Sequence, residues 1–217
     1  MAEKVGVVFF HNNISMLYRP EWVEKCIGSM AGQTQEGATI YEIDYGGRGE
    51  RLTGTQNYHS AALVNYAEAM NAIIDAAFAD GCDFVFNTNM DDFYSADRVE
   101  KQLAPLRAGY DIVSSDFVYV DEDDKIMRRM HISSYGDIAF NIARGHNVIA
   151  HPCVAYSRRF WSDASNRYDP AKVPAEDLDL WGRSITRGYR FHIHPDVLLY
   201  YRIHAKKESN KKQAACQ

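Results

Sequence analysis

The chain has 217 residues, enough for one well-buried domain and short for two. Hydrophobic residues make up 46% and charged residues 24%, an ordinary globular balance that argues against extended disorder. Twenty-four Lys and Arg stand against 29 Asp and Glu, and a net charge of −5 argues against nonspecific nucleic-acid binding.

Four cysteines, Cys26, Cys82, Cys153 and Cys216, form no C-x-x-C pair. Three of them lie in apolar runs, where a reduced thiol packs as a small hydrophobe. Met1-Ala-Glu-Lys4 leads directly into an apolar segment without the pattern of a secretory signal. No apolar run approaches the roughly 18 residues of a membrane span. Together these features predict a cytoplasmic protein with no transmembrane segment.

Val5–Phe10 reads as a buried parallel strand, followed by the polar loop His11-Asn12-Asn13. Pro20 opens a helix with Val23, Ile27 and Met30 on one stripe. Thr39–Asp44 is a second strand, running into the glycine-rich loop Tyr45–Gly49. A helix is predicted over Ser60–Ala79, with Gly81 at its C-terminal cap position. Asp83–Phe86 is a short strand leading into Asn87–Asp92, and Ser95 is expected to cap a helix reaching about Leu106. Asp111–Val120 reads as a strand and Asp121–Asp124 as a turn, whereas Lys125–Ala143 has no clear period. Val148–Ser157 reads as a further strand, Glu176–Arg187 as a helix stopped by Gly188, and Tyr189–His194 and Val197–Tyr201 as two short strands. One domain is expected over residues 1–204, followed by a polar tail from Ala205 that carries Lys206, Lys207, Lys211 and Lys212.

Strands alternate with helices through the first half, which predicts right-handed β-α-β units and a mainly parallel central sheet flanked by helices. Ligands bind such sheets beyond the carboxyl ends of the strands. His11–Asn13, Asp44–Gly47 and Asn89–Asp92 all fall at those ends.

Asp91 and Asp92 are adjacent carboxylates after a buried strand. They suit a hard divalent cation that also binds substrate phosphates, or a solvated acidic turn. Glu176-Asp177 opens a helix, where acids complement the macrodipole and where one carboxylate can serve as a general base. Asp44 can accept a hydrogen bond from a base or ribose, or simply form the turn before the glycines. The glycines at 46, 47 and 49 lack the spacing of a dinucleotide fingerprint. His151 and His204 stand out among the histidines for their neighbours. Zinc-protease, nucleophile-elbow and Walker motifs are absent, which removes common hydrolase and ATPase readings.

In order along the chain, several segments resemble the family 2 glycosyltransferases of the GT-A fold. Cys26-Ile-Gly-Ser29 with Gln33-Thr34 is similar to the family's first helix and its exit. Ile43-Asp-Tyr-Gly46 stands where the family has Val-Asp-Asp-Gly, and Ala69-Met-Asn71 resembles the helix before the metal strand. Asn89-Met-Asp-Asp92 stands for Asp-x-Asp-Asp, Ala175–Arg183 is similar to E-D-x-D-L-W-x-R, and Tyr201-Arg-Ile-His204 resembles the closing Y-R-x-H.

The resemblance implies inverting transfer from a nucleoside-diphosphate sugar to the hydroxyl of a glycan, lipid-linked or protein-linked acceptor, aided by Mn²⁺ or Mg²⁺. It implies Asp91 as metal ligand with Asp92 assisting, and His204 at the metal or diphosphate. Asp177 would be the base with Glu176 beside it. Asn13, Asp44, Tyr45, Asn89, Asp92 and Arg202 would contact the nucleotide sugar. Two positions depart from the pattern: Tyr45 replaces an Asp and offers a ring for stacking, and Asn89 replaces an Asp with one less negative charge. Residues 125–144, with His151, are assigned to the acceptor side. Four matters stay open at this stage: a noncatalytic binding module derived from a transferase, a sugar nucleotidyltransferase, peripheral membrane contact through the tail lysines, and whether the domain is part of a larger polypeptide.

Overall fold

The computed structural model describes residues 3–205. The predicted tail and Cys216 lie outside them. In chain order the elements are β1 (Val5–His11), α1 (Ile14–Leu17), α2 (Pro20–Ala31), β2 (Thr39–Asp44), β3 (Asn57–Ser60), α3 (Tyr66–Ala79), β4 (Phe84–Asn87) and β5 (Phe93–Tyr94). They continue as α4 (Arg98–Arg107), β6 (Ile112–Val120), β7 (Ile126–Met130), α5 (Ile138–Ala143), β8 (Ala155–Ser157), α6 (Arg158–Trp161), α7 (Glu176–Thr186) and β9 (Phe191–Arg202).

The strands form one sheet in the order β3-β2-β1-β4-β8-β6-β9-β5, with β7 added on β6. Pairings among β3, β2, β1 and β4 are parallel, as is the β6–β9 ladder. The sheet is nevertheless mixed, because β8 runs antiparallel to both β4 and β6. A three-residue strand carries too little pattern for its direction to be read from sequence.

Alternation along β1 divides the core into two layers. Val5, Val7 and Phe9 pack with α2 and α4, through Val23, Cys26, Met30, Val99 and Leu103. Val8 points the other way, into a layer built from α3, α6 and α7 that includes Met70, Ile74, Phe160, Trp161 and Trp181. A strand buried on both faces must be apolar at every position, which is why β1 reads as an unbroken hydrophobic run. The sheet is thus sandwiched between helices. Among the described residues no helix is long and apolar enough to cross a membrane. Cys26, Cys82 and Cys153 are buried free thiols within these layers.

Four element boundaries differ from the sequence reading. The helix expected from Ser60 begins at Tyr66, because Asn65 caps it by accepting hydrogen bonds from the backbone N–H groups of Ala67 and Glu68. Residues 57–60 form edge strand β3 instead. Ser95 does not cap α4; its hydroxyl donates to Asp97, which holds the N-cap position. Only Ala155–Ser157 of the expected strand over 148–157 is extended, since His151–Cys153 forms a 3-10 turn around Pro152, which has no N–H for a ladder. The last two predicted strands are one, β9, which crosses Pro195 and Asp196 by shifting register against β6.

Candidate active site

A cavity of about 520 Å³ opens beyond the carboxyl ends of β1, β2 and β4. Its lining falls into four parts.

The end of β1 supplies Phe10, His11 and Asn12, and the end of β2 supplies Tyr45. His11 is buried and its Nε2 lies 3.0 Å from Glu42 Oε1. A carboxylate only accepts, so Nε2 carries the proton. Glu42 also accepts from the backbone N–H of Leu52 at 2.7 Å and of Thr53 at 2.9 Å. Burial on its own would raise the Glu42 carboxyl. The bonds from His11, Thr53 and Leu52 outweigh that and bring it down to about 2.

A carboxyl depressed from its ordinary 4.5 contributes stability above that value and loses it as pH falls towards 2. Stability measured by denaturant titration should therefore drop through this window. The Glu42→Gln variant should be less stable at neutral pH and lack that component of the slope.

The loop after β4 supplies Asn89, Met90 and Asp91. Asp91 is buried, and its Oδ2 lies 3.0 Å from Nε2 of His204, which is also buried. The His204 ring packs against Trp22 and Tyr18. Residues 113 positions apart are thereby brought together at the cavity floor. Among the described residues no cluster of three or more His, Cys, Asp or Glu is arranged to hold an ion. A hard divalent cation commonly takes only one or two protein carboxylates and completes its shell with phosphates and water. Asp91 supplies one such carboxylate, and His204 holds it in place through Nε2.

The start of α7 supplies Glu176 and Asp177, with Pro174 before them. Asp177 Oδ2 accepts from Asn147 Nδ2 at 2.7 Å, and its Oδ1 accepts from the Leu178 backbone N–H at 2.7 Å. Both oxygens are thus fixed in direction. Glu176 is buried, and its Oε2 has no hydrogen-bond partner among the described residues. His151 stands on the same wall, with its Nε2 2.9 Å from the Tyr168 hydroxyl. The Tyr168 hydroxyl in turn meets that of Tyr156, and burial holds both phenols above their ordinary range. The fourth wall is apolar and includes Leu17, Phe117, Tyr119, Met130, Ile132 and Tyr201.

Of the residues singled out from sequence, Tyr45, Asn89, Asp91, Glu176 and Asp177 line this cavity, and His204 stands directly behind Asp91. Four others are not on the wall. Asp44 is fully buried and spends its carboxylate on the backbone N–H groups of Gly46, Arg48 and Glu50, so it shapes the glycine loop. Asn13 takes a left-handed conformation and bonds Arg48 and Met16, leaving Asn12 to face the cavity. Asp92 turns beneath the loop and accepts from the Arg202 backbone N–H at 2.8 Å. Arg202 is buried under the same loop and donates to the main-chain oxygens of Asp91, Asp121 and Glu122.

Asn147 is among the wall residues that the sequence does not announce. It lies in an irregular stretch without period or motif.

The family model of Glycosyl transferase family 2 matches residues 14–164. The chain belongs to that family. The matched span contains the Asn89–Asp92 loop and ends before α7, so Glu176, Asp177 and His204 stand on geometry.

Family membership and the sandwiched sheet agree with solved GT-A structures. TarS of S. aureus, residues 1–349 in complex with UDP, aligns with a TM-score of 0.68 at 13% identity, over 92% of this chain and 60% of that one. The complex of the same protein with UDP-GlcNAc aligns with a TM-score of 0.70 at 12% identity, over 95% of this chain and 60% of that one. At this identity the likeness is one of fold, and the chain spans 60% of the length of those structures. No curated protein matches the sequence.

Proposed function

We propose that this chain transfers a sugar from a nucleoside-diphosphate sugar to an acceptor hydroxyl, with inversion at the anomeric carbon. The observation that carries this reading is the meeting, on one cavity, of an Asp91–His204 pair with an oriented Asp177 carboxylate, beside Tyr45 and His11.

Asp177 is the group placed to take the acceptor proton. As it does so, a new bond forms between the acceptor oxygen and the anomeric carbon. The bond from that carbon to the diphosphate oxygen breaks, and its electron pair leaves with the nucleoside diphosphate. Asn147 and the α7 N-terminus hold the carboxylate in the geometry that general-base catalysis needs. Asp91, oriented by His204, would hold Mn²⁺ or Mg²⁺. Such an ion, when bound, stabilises negative charge on a departing diphosphate. Tyr45 offers a ring for stacking on the base or ribose, and Asn89 a side-chain amide to the donor. The fold-mates bound to UDP and UDP-GlcNAc put uridine nucleotides first among donors to try.

The test is a thermal-shift panel of nucleoside diphosphates and nucleotide sugars, with and without Mn²⁺. A ligand that binds only the native state raises its melting temperature by mass action. One nucleotide should give a Mn²⁺-dependent shift that vanishes in Asp91→Ala. A panel without any shift would leave the proposal without its donor and overturn it.

A further inference from the structure

His151 lines the cavity, and the transfer proposed above gives it no task. Its Nε2 lies 2.9 Å from the Tyr168 hydroxyl, and that hydroxyl meets the hydroxyl of Tyr156. Both tyrosines are buried, and among the described residues the Tyr156 hydroxyl has Tyr168 as its one partner. Two directions of donation are open to such a chain. If Nε2 donated to Tyr168, Tyr168 would donate to Tyr156, and the Tyr156 proton would be left in the core without an acceptor. The reverse direction satisfies every proton: Tyr156 donates to Tyr168, and Tyr168 donates to Nε2. His151 is then the neutral tautomer with its proton on Nδ1.

The ring is also held in place. It packs edge-on against Tyr168, with 5.5 Å between centroids, and tilted against Trp181 of α7. Tyr168 is locked to α3, since its backbone N–H donates to Asn71 Oδ1 at 3.0 Å and its carbonyl accepts from Asn71 Nδ2 at 2.8 Å. The His151 carbonyl accepts from Nδ2 of Asn87, the last residue of β4. Nδ1 has no hydrogen-bond partner among the described residues, and it is not one of the unpartnered side-chain atoms that packing seals from solvent. On a residue that lines the cavity, this leaves an N–H donor open to a ligand.

His151 thus ties the strand that leads to the Asp91 loop to the helix that carries Asp177. In an in-line displacement the transferred sugar lies between the leaving diphosphate and the base. An uncharged N–H suits a neutral oxygen there, because Glu176 and Asp177 on the same wall disfavour an anion.

We infer that His151 is a sugar-binding residue whose Nδ1–H donates to a hydroxyl of the transferred sugar, with Tyr168 and Tyr156 as positioning residues that fix its tautomer. The sugar contact rests on the transfer reaction proposed above; the tautomer does not.

The first measurement is the nitrogen NMR spectrum of the histidine rings in the ligand-free chain, with His151 assigned by its loss in His151→Asn. Nδ1 should carry the proton in wild type, and Tyr168→Phe should release that preference, because nothing then donates to Nε2. The second measurement is the affinity for UDP-GlcNAc against that for UDP, with Mn²⁺, or for the matching pair that the nucleotide panel selects. His151→Gln keeps an acceptor within reach of Tyr168 but places no N–H at the Nδ1 position, whereas His151→Asn places one there. His151→Gln should weaken the nucleotide sugar by about 3- to 10-fold, the range of one neutral hydrogen bond, and leave the diphosphate unchanged. His151→Asn should keep most of the affinity.

A proton on Nε2 in wild type would overturn the tautomer and the proposal with it. Equal nucleotide-sugar affinity in wild type and His151→Gln would overturn the sugar contact, and a rise in acceptor KM in that variant would give His151 to the acceptor instead. A wild-type chain that binds neither ligand would remove the transfer reading and the sugar contact together, while the spectrum would still decide the tautomer.

Discussion

Asp177→Asn should lower the rate of sugar transfer by about 10²- to 10⁴-fold, the usual contribution of a positioned general base. The change keeps the size of the side chain and an oxygen for the Leu178 N–H, but removes the group that can take a proton. Binding of the donor nucleotide should survive, because Asp177 comes from the start of α7, whereas Tyr45 and Asp91 come from the loops after β2 and β4. Removing a negative charge from the first turn of a helix costs about 0.3–1 kcal/mol, so a small loss of melting temperature is expected. The decisive comparison is transfer rate against nucleotide affinity in the same variant. An unchanged rate with intact binding would take the role of base away from Asp177. Asn147→Ala should fall between the two, since it leaves the carboxylate in place and removes the bond that aims it.

The parts of the site that were legible in the sequence are those where chemistry and chain position coincide. Asp91 follows a short buried strand and Asp177 stands in the first turn of a helix, positions that equally suit structural acids, and it is the ordered resemblance to the family's segments that points each of them to function. Tyr45 and Asn89 sit in the same strand-end loops and reach the cavity as expected. The residues that do not line the cavity share a different cause. Asp44, Asp92 and Arg202 are polar residues in motif positions, and sequence position alone does not say whether a polar group faces a ligand or a buried backbone. Here the neighbouring loops left N–H and C=O groups to be satisfied, and these three side chains satisfy them.

Asn147 escaped for the opposite reason: it belongs to no periodic segment, and its importance comes only from the approach of α7. The fold was more legible than its edges. β1, β2 and the long helices announced themselves by burial pattern, while β3, β5 and β8, of two to four residues, carry too few positions for a period to show.

Arg202→Ala should cost about 3–5 kcal/mol, because it removes a large, fully buried side chain together with its bonds to the loop main chain. The Arg202 guanidinium is fully buried. It donates to the Asp91 carbonyl at 2.9 Å, to the Asp121 carbonyl at 3.0 Å and to the Asp124 carboxylate at 2.5 Å. It also lies over Trp22, with 4.8 Å to the ring. Deletion would take the donor from the Asp91 main-chain oxygen and leave Asp121, Glu122 and Asp124 to the Asp124 N–H, Trp22 and Lys25 respectively. Burial raises the Asp124 carboxyl, and its bonds to Lys25 and Arg202 bring it below its ordinary value.

For a chain of this size each kcal/mol corresponds to about 2–4 °C, so the melting temperature should fall by roughly 6–20 °C. Arg202→Lys should recover only part of it, because an ammonium cannot span four acceptors set around a planar fork. This separates two roles for the residue. If Arg202 acted chiefly on the diphosphate, the ligand-free protein would keep its stability and only nucleotide affinity would fall. The geometry predicts the reverse order. Stability drops first, without ligand, and the Mn²⁺-dependent nucleotide shift weakens as a consequence, because the backbone that carries Asp91 has lost its anchor.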